Sequence, residues 1–275
     1  LAYLLPHGLN SALLFISLLF VVGCGTEDGT IAPSVEQVNE EFQPGERHQL
    51  NAISSNYTGV SYPLKVYLPH NYDAGKRFPV IYVLDAEWRF ETVADSIDKN
   101  RLEVILVGVE NYVDEQYKHR EDYSQWPLAK DYFDFLTQEL ASVIESTYSI
   151  DATNRTIMGH SLTGLFVGLA LLIDDHHSPF FHHHVSFDGS FWAHRDITPQ
   201  LINDRLSAHP VLKSRMILVA ATASPGNARY VNWFEQLLTI AGFSQLELYR
   251  YEYEKAHIPV VAESIDDVIV TLYLR

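Results

Sequence analysis

Short apolar runs alternate with longer amphipathic stretches along most of this chain, and that alternation sets the expected architecture. Strand-like runs are Gln49–Ser54 and Ser61–Leu68, the latter closed by Pro69, followed by Val80–Leu84, Val104–Val109, Arg155–Met158, Val185–Phe187, Met216–Ala221 and Leu246–Tyr251. Between them lie helical patterns at Thr92–Asn100, Lys130–Tyr148, Leu162–Ile173, Pro199–Ala208, Ala228–Ala241 and Val260–Tyr273. In Lys130–Tyr148, for example, Phe133, Leu136, Leu140, Val143 and Ile144 recur at helical spacing. The first two strands read as a pair. The rest, short and apolar with helices between them, predict an α/β fold: a mostly parallel central sheet with helices on both faces. In such sheets ligands bind at the carboxyl ends of the strands, so the residues following each apolar run are the place to look for chemistry.

The chain opens differently. Residues 1–23 hold no Asp, Glu, Lys or Arg, and Ala12–Gly23 is almost wholly apolar. That run is shorter than the roughly 20 residues a membrane-spanning helix needs and suits the apolar region of an export signal. It ends Val21-Val22-Gly23-Cys24, which resembles a bacterial lipoprotein signal: small apolar residues, then the Cys that receives lipid. The absence of Lys and Arg ahead of the run departs from the usual pattern. Gly25 stands where Asp often retains lipoproteins at an inner membrane, which favours an outer-membrane anchor. The expected organisation is therefore a signal over 1–23, a polar tether over 24–47, and one catalytic-sized domain over 48–275.

Charge and cysteine content narrow the function classes. With 35 acidic against 19 basic residues the formal net charge is −16, which a nucleic-acid backbone would repel. Cys24 is the single cysteine, so neither an internal disulfide nor a Cys-rich zinc framework is available.

The most informative stretch is Arg155-Thr-Ile-Met-Gly-His-Ser161-Leu-Thr-Gly164. A short strand runs into Gly159-His160-Ser161 and an apolar helix follows at once, the context of a nucleophile elbow. Such a turn carries the Ser hydroxyl above the sheet edge and needs small neighbours where strand and helix approach. Gly159 meets that need; Thr163 stands where Gly is usual, with Gly164 one position later. Read as a plain strand–turn–helix junction, the same stretch would make Ser161 only a helix cap.

With these residues goes a set of segments in matching order: Val66-Tyr-Leu-Pro69, Phe78-Pro-Val-Ile-Tyr-Val-Leu-Asp85-Ala86, Ile105-Leu-Val-Gly-Val-Glu-Asn111, His119-Arg120-Glu-Asp122-Tyr123, Phe135-Leu-Thr-Gln-Glu139-Leu, and His257 in a loop before the last helix. Together they resemble the putative esterase family of α/β-hydrolases, which includes siderophore esterases, S-formylglutathione hydrolases, feruloyl esterases and antigen 85 mycolyltransferases. The resemblance covers most of residues 48–275. It implies an α/β-hydrolase fold and a serine esterase acting on a small-molecule ester through an acyl-enzyme, with no metal or organic cofactor.

A Ser hydroxyl needs a base to take its proton. In this fold the base is a His after the last strand, and His257 follows Leu246–Tyr251. An acid is expected after Met216–Ala221, but no carboxylate stands there before Glu235. Glu254 is then the first candidate and Glu252 the second, both also readable as solvent-facing charges, with a Ser-His dyad as the remaining option. The oxyanion of an acyl transfer needs preorganised donors: the Leu162 amide, and one from Asp85-Ala86-Glu87-Trp88, with Glu87 preferred over Ala86. Trp88, Arg120 and Trp192 are candidates to line the pocket; Arg120 and Asp122 are equally readable as a loop-pinning ion pair. The histidines of Asp174-Asp-His-His177 and His182-His-His184 invite a metal reading, but successive residues of a strand point to opposite faces, so no metal site is assigned. Two rivals to hydrolysis stand beside it: acyl transfer to an alcohol on the same fold, and a non-catalytic envelope scaffold, motivated by Thr163 and the missing acid.

Overall fold

The computed structural model describes residues 42–114, 117–118 and 123–274. The expectations that concern Cys24 and the rest of 1–41, and those for Arg120 and Asp122, lie outside the described residues.

Ten strands are described. Eight form one sheet: β1 (Glu46–Ser54), β2 (Ser61–Leu68), β3 (Phe78–Leu84), β4 (Ile105–Val109), β7 (Ile150–His160), β8 (His183–Phe187), β9 (Val211–Ala221) and β10 (Ser244–Tyr253). Their order is β1-β2-β4-β3-β7-β8-β9-β10. β1 and β2 pair antiparallel, β2 joins β4 antiparallel, and every later neighbour pair is parallel. The short strands β5 (Tyr112–Asp114) and β6 (Tyr117–Lys118) pair with each other. The helices are α1 (Ala86–Lys99), α2 (Leu128–Asp134), α3 (Ala141–Thr147), α4 (Leu162–Ile173), α5 (Thr198–Ala208), α6 (Ala228–Ala241) and α7 (Val260–Tyr273). A π-helical segment, Phe135–Leu140, joins α2 to α3.

The sheet divides the interior into two cores because alternate strand residues point to opposite faces. Val80, Tyr82 and Leu84 pack with α2, α4 and α6, while Ile81 and Val83 pack with α1 and α7. α4 lies deepest: ten of its twelve residues are buried, which explains why its sequence is apolar on every side.

Several strands run longer than their apolar runs predict, β7 and β9 each starting five residues earlier, and two further boundaries have identifiable causes. The compact unit begins at Phe42, and Glu46 and Arg47, assigned above to the tether, are part of β1. They are held by distant partners: the Gly45 amide donates to Asp98 at 2.8 Å, and Arg47 pairs with Glu91, Asp95 and Asp98 of α1. α1 starts at Ala86, six residues ahead of Thr92, because Asp85 turns into the left-handed region (φ 54°, ψ 43°) and the chain becomes helical directly after the strand.

Candidate active site

Ser161 sits between β7 and α4 with φ 63° and ψ −115°, a backbone conformation that L-residues avoid and that a tight strand-to-helix turn imposes. Its neighbours are small because they must be. A Cβ on Gly159 would lie 2.4 Å from the Thr163 carbonyl oxygen, and one on Gly164 would lie 3.0 Å from both Gly189 Cα and Ser186 Oγ. Thr163 itself fits because its hydroxyl is used. It accepts from the His160 amide at 2.8 Å and approaches Asp85 Oδ2 at 2.8 Å, so the residue that departs from the usual Gly ties the elbow to the end of β3. The next loop closes on the same turn. The Ser161 amide donates to Phe187 O at 3.0 Å and its carbonyl accepts from the Ser190 amide at 2.8 Å.

His257 follows β10 and is tied at three points. Its amide donates to Pro225 O at 2.7 Å, its carbonyl accepts from His160 Nε2 at 2.7 Å, and its Nδ1 lies 2.6 Å from Asp188 Oδ2. Asp188 is wholly buried at the end of β8. Its Oδ1 accepts from the Ala221 amide at 2.9 Å, and its Oδ2 from the Asn227 amide at 2.9 Å. Those fixed donors hold the carboxylate in place and leave Oδ2 facing the imidazole.

This corrects the expected acid. Neither Glu254 nor Glu252 stands behind His257. Glu252 is exposed and pairs with Arg250 at 2.8 Å, and Glu254 is exposed at the strand end. The carboxylate comes from the strand beside the one where it was sought. The last residue of β9 and the segment after it supply instead the amides of Ala221 and Asn227 that hold it. The signal available in the sequence was an Asp directly after the apolar run Val185–Phe187, followed by Gly189.

Ser161 and His257 line one cavity of about 640 Å³, together with Trp88, Arg89, His160 and Ile258. Ser161 Oγ lies 3.2 Å from Ser190 Oγ, and among the described residues no hydrogen bond joins it to His257. Its hydroxyl swings on a single rotatable bond, and contacts of this kind commonly tighten only when substrate is bound.

The expected oxyanion donors are backbone amides at two helix starts, where the first N–H groups have no intrahelical acceptor. Leu162 is the first residue of α4, and Ala86 and Glu87 open α1. None of the three is among the residues lining the cavity. The Glu87 carboxyl folds back on its own amide and also accepts from the Asn111 amide at 3.3 Å. Burial, reinforced by the nearby charge of Asp85, raises its pKa. Ala86 is therefore the less encumbered of the two α1 amides. Asp85 is structural, as its surroundings show: it is buried and bonded to Asn111, Tyr123 and Thr163.

Of the pocket candidates, Trp88 lines the cavity and is half exposed. Trp192 is half exposed but does not line it; it sits on a 3-10 turn anchored by Phe191 stacked on Phe234. Arg89, which the sequence reading passed over, does line it. The histidine run divides as strand geometry requires: His184 is buried against Ser214, and His183 is half buried. Burial pushes their pKa values down to about 3 and about 4 respectively.

Comparison with known proteins places the chain in a family and a fold. The model of the family described as "Putative esterase" matches residues 55–229. Ferri-bacillibactin esterase BesA of Bacillus subtilis (strain 168) is 28% identical over 152 residues, covering 45% of this chain and 53% of that protein. The chain thus matches about half the length of that curated relative. Among solved structures, an IroE-like serine hydrolase from Shewanella oneidensis superposes with a TM-score of 0.68 at 23% identity, covering 84% of this chain and 80% of the other. The BES protein from Bacillus cereus gives 0.71 at 20% identity, covering 85% and 98%. At those identities the two likenesses establish the fold.

Proposed function

The chain belongs to the Putative esterase family of α/β-hydrolases, and on that premise we propose that it is a serine esterase with Ser161 as nucleophile, His257 as base and Asp188 as acid. The observation that carries the reading is His257, tethered through Nδ1 to Asp188 Oδ2 at 2.6 Å and sharing a cavity with a serine on a strained elbow.

The chemistry follows from the charges. His257 Nδ1–H donates a hydrogen bond to Asp188, which fixes the ring proton there and leaves the Nε2 lone pair free to take a proton. As that proton leaves Ser161, Oγ attacks the ester carbonyl. Negative charge gathers on the former carbonyl oxygen, and the Leu162 amide with the Ala86 or Glu87 amide stabilises it there. The imidazolium returns its proton to the departing alcohol, leaving an acyl-serine. Water then enters, its oxygen attacks the acyl carbon as His257 takes its proton, and His257 passes that proton to Oγ as the acyl–Ser161 bond breaks and the acid is released. The two features that favoured an inert scaffold have another reading here: Thr163 fastens the elbow, and Asp188, directly after β8, stands behind His257.

A cavity of about 640 Å³ walled by Trp88, Arg89 and Ile258 suits a bulky ester with an aromatic part. The similarity to a ferri-bacillibactin esterase supports esters of siderophore type as the substrate class. The deciding experiment treats the protein with p-nitrophenyl butyrate, a catecholate siderophore lactone and a fluorophosphonate, alongside Ser161→Ala. Turnover and a mass increment on Ser161 in the wild type alone are expected. Equal turnover by both proteins overturns the assignment, and product captured by added alcohol in preference to water turns it to acyl transfer. We propose further that Cys24 carries lipid and holds the enzyme at the outer envelope. Radiolabelled palmitate should enter the wild type and not Cys24→Ser.

A further inference from the structure

We propose that Arg89 and His160 are positioning residues that fix the backbone of the catalytic base. The proposal rests on the reading of Ser161 and His257 given above.

His160 precedes the nucleophile, and its side chain is 5% exposed. Both ring nitrogens are committed. Arg89 Nη2 lies 2.9 Å from Nδ1, and Nε2 lies 2.7 Å from the His257 carbonyl oxygen. A guanidinium can only donate, so Nδ1 must present its lone pair, and the ring proton is thereby placed on Nε2. From there it donates to His257. Arg89 therefore selects the tautomer, and the tautomer makes the contact.

The contact completes a cage. The loop after β9 holds the His257 amide, the loop after β8 holds its Nδ1, and the elbow holds its carbonyl. Each tether comes from a different segment, so loss of one leaves the imidazole free to pivot about the other two. The His160 and His257 rings also lie 4.4 Å apart, inclined at 37°, so the first ring supports the second by direct packing. A buried histidine costs desolvation that an apolar residue of similar size would avoid. A residue kept there for space alone would not need two aligned hydrogen bonds, one running to the base and one arriving from α1. Small displacements of a base are costly: about 1 Å can cost on the order of 100-fold in rate.

The test uses the full domain with Arg89→Met, Arg89→Lys, His160→Leu and His160→Gln, measuring kcat, KM, fluorophosphonate inactivation rate, thermal midpoint and histidine 15N shifts. Arg89→Met and His160→Leu should lower kcat and the inactivation rate by about 10- to 100-fold with KM changed less than about twofold. His160→Gln, whose amide nitrogen reaches the Nε2 position, should recover most of that loss. The 15N spectrum should show His160 as the Nε2–H tautomer in the wild type and as a mixture in Arg89→Met. If His160→Leu fails to fold, Arg89→Met and His160→Gln decide. Folded Arg89→Met at wild-type kcat overturns the proposal. So does a rise in KM at constant kcat, which would make Arg89 a substrate contact instead. A wild type that neither turns over esters nor reacts with fluorophosphonate overturns the esterase reading itself, a result distinct from both.

Discussion

Replacing Asp188 with Asn separates the observed site from the one expected in the sequence. Asn keeps the shape but has one oxygen and one NH2 group. If the oxygen stays toward the Ala221 and Asn227 amides, the NH2 faces His257 Nδ1, which must then accept. The ring proton moves to Nε2, and the lone pair needed by Ser161 is gone. If the amide flips, the oxygen keeps the Asn227 amide but the NH2 meets the Ala221 amide at 2.9 Å and leaves that donor unsatisfied, at about 1–3 kcal/mol. The first arrangement keeps more hydrogen bonds and should prevail. In a Ser-His-Asp protease the corresponding change costs about 10⁴ in kcat, equivalent to ~5.5 kcal/mol of barrier. For this protein kcat on p-nitrophenyl butyrate should fall by about 10³–10⁴, with KM nearly unchanged. Glu254→Gln and Glu252→Gln should stay within about twofold, since both side chains are solvent-facing. Stopped-flow acylation at pH 8 is the assay, with circular dichroism to confirm folding. A folded Asp188→Asn within tenfold of wild type, or an equal loss in Glu254→Gln, refutes the assignment of the acid.

Other expectations follow from the same geometry. Thr163→Val removes the hydroxyl that bridges the His160 amide and Asp85, so urea denaturation should show a loss of about 2 kcal/mol, whereas a value under about 0.5 would mean the bridge is unimportant. Gly159→Ala drives a methyl group against the Thr163 backbone and should cost at least ~3 kcal/mol or prevent folding, while Gly75→Ala, whose nearest neighbour is an Asp73 side-chain oxygen, should be tolerated. His184 is held neutral by burial, so the unfolded chain binds the extra proton between pH 6.5 and about 3, and stability falls as pH drops through that window. His183 acts in the same direction down to about pH 4, and together they should remove about 2–3 kcal/mol between pH 7 and 5.5. His184→Asn should flatten about half of that slope in chemical denaturation; an unchanged slope would show that His184 is not the source.

Ser161 and His257 were legible in the sequence because local pattern constrains them. A nucleophile elbow demands small residues at fixed offsets, and a His in a loop after the last strand has few alternatives. Asp188 was not, because the carboxylate partner of His257 is set by which strand end approaches the imidazole, and β8 and β9 are neighbours in the sheet. Chain order pointed to β9, whose following segment turned out to donate hydrogen bonds where it was expected to accept them. Thr163 misled for a related reason: a β-branched residue counts against the elbow until its hydroxyl is seen bridging two strands. The roles of Arg89 and Gly45 depend on partners 71 and 53 positions away, and no local spacing announces such contacts. Boundaries followed the same division. α4, α6 and α7 matched their apolar patterns end to end, whereas β1 and α1 began earlier because distant side chains and a left-handed Asp85 set their starts.

Asp85, Ser161 and Asp188 all carry positive φ, and they cap three strands that lie side by side, β3, β7 and β8. Conformations of that kind cost about 1–3 kcal/mol each. The molecule therefore concentrates its torsional debt along the rim where the ester would be cleaved. Efforts to make a hardier version should leave that rim untouched and turn to Arg101 and Gln245, left-handed residues that do not border the cavity. Glycine there would release stored tension without silencing the catalyst.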